Sequence, residues 1–304
     1  MLNNRYKNWV IILIACIFPL ISFGLDSVNY SILPLKFDTG NPSPYGLPST
    51  IITIQGKQLP LIFDTGASKS DIILSKYALN GLHVKFTGKS LCYKSFDGSH
   101  CEKEFIVPKL KIGNFIIRNV KGTLMTKLWG GNDAGFKDSE ASRNGVIGYG
   151  LISKFNVLLD YSHSQAIFIK KGIRLKQYYI ANWINVPFHK HLLTDLSLNK
   201  NRITLGWDTG AIPSIIKETS VKRLEKSTCT SEETYKDKNS LCIVTKNLFA
   251  VLTKQQMPNT WFLLENIPDG VPFDGLIGSN FFRENLVYFD FEDQNIYVKN
   301  NSKI

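Results

Sequence analysis

Cysteine is scarce in this chain, at 5 of 304 residues, and no two are spaced as Cys-x-x-Cys. That argues against a thiolate zinc site or a dithiol redox centre. No His-Glu-x-x-His occurs, and no serine or cysteine nucleophile has an evident histidine partner. His189 and His191 lie two apart, as neighbours on one face of a strand would, but a third metal ligand is missing. They read as part of a solvated strand, and neither a metal nor a cofactor is expected. Basic clusters are absent too. The net charge is +11, yet the lysines are scattered and form no basic helix or arginine-rich patch, so a solvated surface is expected and a nucleic-acid partner is not. No tract is of low complexity, and 43% hydrophobic with 20% charged residues is ordinary for a globular chain.

Long apolar runs are also missing. Arg5 and Lys7 precede "VIILIACIFPLI" (10–21), which is too short to span a membrane and suits the core of a secretory signal peptide. Ser22-Phe23-Gly24 follows, so residues 1–24 are read as a signal peptide cut after Gly24. "LIAC" (13–16) leaves a rival reading open, lipidation at Cys16, and an uncleaved anchor is a third. A membrane partner is expected only in those two cases. Removal of the segment leaves Cys92, Cys101, Cys229 and Cys242, which in an exported chain suggest two disulfides. Three connectivities are open; the local one, Cys92–Cys101 with Cys229–Cys242, gives each half its own staple.

What is present is a repeat. Asp-Thr-Gly occurs at Asp38, Asp64 and Asp208. Before Asp64 lies "IITIQGKQLPLIFD" (51–64), and before Asp208 lies "LSLNKNRITLGWD" (196–208). Ile52, Ile54, Leu59, Leu61 and Phe63 fall opposite Leu196, Leu198, Ile203, Leu205 and Trp207 without a gap. Each half reads as alternating strand, polar turn (55–57 or 199–201), alternating strand and aspartate. Downstream, "GVIGYGLISKFNVLLDY" (145–161) sits over "GLIGSNFFRENLVYFDF" (275–291). The chain is therefore read as a duplicated unit, with halves at 25–175 and 176–304. Asp38 has no hairpin leading into it and prolines follow it, so Asp38-Thr39-Gly40 is read as a turn; "ILPLKF" (32–37) better matches "WINVPF" (183–188) as an opening strand. Hairpins are expected at 108–122, turning at Gly113-Asn114, and at 92–101, with Asp97-Gly98 at its tip. Short helices are expected near 71–79, 151–157 and 215–226, and a loop over 127–145.

Two Asp-Thr-Gly loops, each followed by an apolar-apolar-Gly element, resemble the bilobal aspartic proteases of the pepsin type; "DTGA" in both halves and "KIGNF" look closer to retropepsin-like units. The resemblance covers nearly the whole chain after residue 24. It implies a mainly β fold of two pseudo-symmetric, barrel-like lobes with a few short helices. It also implies a monomeric endopeptidase acting on polypeptides, with Asp64 and Asp208 sharing a proton. Thr65 and Thr209 would lock the two loops together, and Gly66 and Gly210 would let the backbone turn close to the carboxylates. Gly148 and Gly278 would let a neighbouring strand pack there. A covering flap would fall on 92–101, with Tyr93 or Phe96 over the substrate. The family usually has Ser or Thr after Asp-Thr-Gly; here Ala67 and Ala211 remove that donor, which implies a mildly acidic optimum. The alternative is a catalytically silent binding or inhibitor protein on the same scaffold.

Overall fold

The computed structural model describes residues 29–38, 46–67, 69–95, 98–126, 139–173, 175, 180–221, 224–229 and 240–301. The signal segment with Cys16, the Thr39-Gly40 pair and Phe96 lie outside these residues. The described chain is mainly β. Its helices are short: Lys76–Leu79, Glu140–Asn144, Tyr149–Ile152 and Ser279–Glu284. None is long and apolar enough to cross a membrane.

Both hairpins that lead into the aspartates form as the alternation requires. Strand Leu47–Ile54 pairs with Lys57–Phe63, and Leu193–Leu198 pairs with Asn201–Trp207. The loops are two residues long, because Ile54 faces Lys57 and Leu198 faces Asn201. Both central residues have positive φ, 51° and 87° at Gln55-Gly56 and 48° and 70° at Asn199-Lys200. Such a turn favours Asn then Gly, and each half supplies one of the two. All ten apolar residues aligned between the halves are buried.

The strand after each aspartate loop is short; Ile72–Leu74 is buried throughout, whereas in Ile215–Lys217 only Ile216 is fully buried. Ile72–Leu74 lies between Gly145–Ile147 and Phe115–Leu124, and Ile215–Lys217 lies between Gly275–Ile277 and Thr260–Glu265. These segments correct the helices expected near 71–79 and 215–226. Three-residue strands flanked by neighbours on both edges carry no period of their own, and their β-branched isoleucines favour the strand. Among the described residues there, only Lys76–Leu79 and a 3₁₀ turn at Glu218–Val221 are helical. The helix expected near 151–157 lies earlier, at Tyr149–Ile152, and Phe155–Asp160 is a strand. The expected loop 127–145 contains the helix Glu140–Asn144, capped by Ser139, whose hydroxyl accepts from Ser142 N–H at 3.0 Å.

The strands form three sheets. One of eight strands spans Lys36 to Ile147, and another of eight spans Leu193 to Ile277. In the first, Thr53 and Ile54 also pair with Lys111 and Leu110, which curls the sheet back on itself. The third has six strands, three from each half, joined at Val157–Leu159 against Val287–Phe289. Its outermost strands are Tyr30–Pro34 and Ile184–Pro187. Pro34 faces Gln165 as Pro187 faces Asn295, so these two openings are equivalent with a two-residue shift from the flush match. Asp38 ends a strand, paired with Leu47, while Thr39 and Gly40 of the expected turn lie outside the described residues; Pro48, one of the prolines that follow, sits near the start of the partner strand.

The hairpin at 108–122 turns at Gly113-Asn114 as expected. In the other, Ser95 pairs with Gly98, so Gly98 is already strand. Cys92 pairs directly with Cys101 and is bonded to it, with Cα atoms 4.1 Å apart; Cys229 is bonded to Cys242 at 5.0 Å. The local pairing is therefore the one that forms.

Candidate active site

Each aspartate follows the last residue of a buried strand and is fixed by the strand beside it. The Asp64 N–H donates to Ile147 O at 3.1 Å, and the Asp208 N–H to Ile277 O at 3.0 Å. Thr65 and Thr209 come next in the two loops. The Thr65 N–H donates to Thr209 Oγ1 and the Thr209 N–H to Thr65 Oγ1, both at 3.0 Å. The hydroxyls pass the connection on: Thr65 donates to Trp207 O at 2.9 Å and Thr209 to Phe63 O at 2.8 Å. Four buried hydrogen bonds thus tie the loops into one unit.

This unit brings Asp64 and Asp208 together. Gly66 N–H donates to Asp64 Oδ1 at 2.8 Å and Ala67 N–H at 2.9 Å, while Gly210 N–H donates to Asp208 Oδ1 at 2.7 Å. Each glycine also lies against the opposite carboxylate. A Cβ on Gly66 would overlap the Asp208 carboxylate, and one on Gly210 would overlap that of Asp64. No side chain larger than hydrogen fits between loop and partner acid. Gly278 has a related role, since a Cβ there would press on Ala211 O and Pro213. Gly148 donates its N–H to Asp71 O at 3.0 Å.

Both carboxyls titrate above the ordinary carboxylate range. Burial is the largest cause for each, and for Asp64 the charge of Asp208 adds to it; the loop N–H groups pull the other way. Two acids in hydrogen-bonding reach cannot both ionise readily, so the pair retains one proton to a higher pH than either would alone.

The pair opens into a cavity of about 520 Å³. Leu91, Cys92 and Tyr93 of the disulfide-closed hairpin line it, as do Trp207, Phe273 and His191. Tyr93 is held from behind: its hydroxyl donates to Glu102 Oε1 at 3.0 Å, and Thr123 Oγ1 donates to Glu102 Oε2 at 2.7 Å. Glu102 is buried, an acid next to Cys101 within the strand Gly98–Ile112. Nothing in its local sequence marked it, because its partners are 9 and 21 residues away. The two histidines do not share a strand. His189 is 3.5 Å from Asp195, whereas His191 occupies a turn with φ 53° and sets its ring edge-on to Tyr149 at 5.0 Å.

Compared with known proteins, the chain matches no protein-family model and no curated protein.

Proposed function

We propose that the protein is an exported, bilobal, pepsin-like aspartic endopeptidase in which Asp64 and Asp208 together activate a water. The observation that carries this reading is the reciprocal seating of each carboxylate against the glycine of the other loop, with backbone N–H donors on both. The pair holds one proton and one negative charge. The charged oxygen takes a proton from a water between the acids, and the water attacks the peptide carbonyl. The protonated partner hydrogen-bonds the carbonyl oxygen, and the pair then delivers a proton to the leaving nitrogen. The threonine bonds keep the carboxyls at fixed separation, so little reorganisation is needed as charge develops. Tyr93 and Leu91 would cover the substrate, with Glu102 anchoring the phenol. The two disulfides suit an oxidising compartment.

The test is incubation of the full chain with a denatured polypeptide between pH 3 and pH 7, followed by sequencing of new termini, with and without pepstatin. Cleavage is expected to disappear in the double variant Asp64→Asn/Asp208→Asn. Cleavage that persists there, or none by the wild type across the range, would defeat the reading and favour a silent binding protein. Pepstatin insensitivity alone would not, since retropepsin-like clefts often bind it poorly.

The raised titration of the pair sets the pH profile. The singly protonated form is needed, and burial moves its window upward, so kcat/KM should peak in mildly acidic solution. A maximum below pH 3 would show that the loop N–H donors outweigh burial.

A further inference from the structure

Among the described residues, two charge-bearing side chains besides the aspartates line the cavity, Lys69 and His191, which come from opposite halves of the chain. Both aspartates are already engaged by each other and by loop N–H groups. Lys69 and His191 have no hydrogen-bonding or ion-pair partner among the described residues. Both are solvent-exposed where they line the cavity. His191 is also held there at a cost. It and Leu192 are consecutive non-glycine residues with φ of 53° and 58°, a conformation that persists only where surroundings enforce it. The enforcement is visible: Trp207 N–H donates to Leu192 O at 3.2 Å, Leu193 N–H donates to His189 O at 2.9 Å, and the Leu192 side chain is fully buried. The result turns His191 to the cavity, its ring braced on Tyr149. Burial and the Lys69 charge both lower the imidazole's pKa, in that order, so the ammonium lies close enough to be felt there.

We propose that Lys69 and His191 form a subsite for a carboxylate side chain of the bound polypeptide, making the cleft selective for Asp or Glu near the bond it holds. The ammonium supplies charge and the imidazole an N–H donor, while the apolar wall of Leu193, Val271, Pro272 and Phe273 takes the neighbouring side chains. The proposal rests on the peptidase reading for its ligand class, but its test does not require turnover.

Fluorescein-labelled octapeptide pools, randomised except for Glu or Gln fixed at one position in turn, are titrated into Asp64→Asn/Asp208→Asn and read by anisotropy. At one position Glu should bind about ten-fold tighter than Gln, as for a charge-assisted hydrogen bond. Adding Lys69→Met should bring that ratio to within about three-fold, and Lys69→Glu should favour Lys over Glu at the same position. His191→Phe, which keeps the ring packing on Tyr149, should lower the ratio by a smaller factor. Equal binding of Glu and Gln pools at every position, or a ratio unmoved by Lys69→Met, would overturn the proposal. Selective binding by a protein whose wild type cleaves nothing would leave it standing and remove the enzymatic reading instead. Cleavage without acidic preference would do the reverse.

Discussion

Replacing Asp64 with Asn is expected to abolish activity and, at neutral pH, to make the protein more stable; Asp208→Asn should behave alike. The kinetic part follows from the role proposed for the pair. An amide neither takes the proton from water nor returns one to the leaving nitrogen, and losing a general acid–base group costs about 10²–10⁴-fold in rate. The stability part follows from burial. Both carboxyls have folded-state pKa values above the ordinary 3.8, chiefly because they are desolvated. A group with a raised folded pKa contributes stability that is fully present below its unfolded value. That stability is lost as pH rises through the folded value. Above that window the native state must hold charge in a buried place. The Asn variant carries one ionisable acid fewer there, so its Tm should exceed the wild type's at pH 7, with the difference shrinking toward pH 3. Thermal melts across that range check it. A variant less stable than wild type at every pH would mean that the acids are structural ligands of the loops rather than a strained pair.

How much of this was legible in the sequence depended on whether the physical cause was local. The hairpin frames were, because Ile52 to Phe63 and Leu196 to Trp207 alternate in step and end on the same tripeptide. The parallel contact of Gly145–Ile147 and Gly275–Ile277 with those strands was legible only as a second repeated block. Ile72–Leu74 and Ile215–Lys217 were not, since strands of three residues show no period. The six-stranded sheet was invisible for another reason: pairing of Val157–Leu159 with Val287–Phe289 joins two central strands whose composition does not state which neighbour each will take. Asp64, Asp208 and both threonines were named from motif alone. The burial of Glu102 and the cavity positions of Lys69 and His191 were not, because both come from packing between distant segments. His191 is solvent-exposed as expected, but it sits in a left-handed turn at the cavity rather than in a strand, and a lone histidine in a polar stretch gives no sign of that.

The threonine pair should prove as sensitive as the acids, though through stability rather than chemistry. Thr65→Val keeps the side chain's volume and removes its hydroxyl. Trp207 O then loses its donor and Thr209 N–H its acceptor, both in a place closed to water. A buried group left unpaired costs about 1–3 kcal/mol, so the two together should lower stability by roughly 2–6 kcal/mol. Thr209→Val orphans Phe63 O and Thr65 N–H in the same way. Because the two residues belong to one network, the double variant should lose less than the sum of the single losses. Thr→Ser at either position retains the hydroxyl and should restore most of the stability and the cleavage rate. Urea unfolding of the four proteins separates the outcomes. If Val variants lose activity with unchanged stability, the hydroxyls act on the acids directly. If losses add fully, the two loops are held by separate contacts, and the reciprocal bonds at 3.0 Å do not by themselves fix the distance between Asp64 and Asp208.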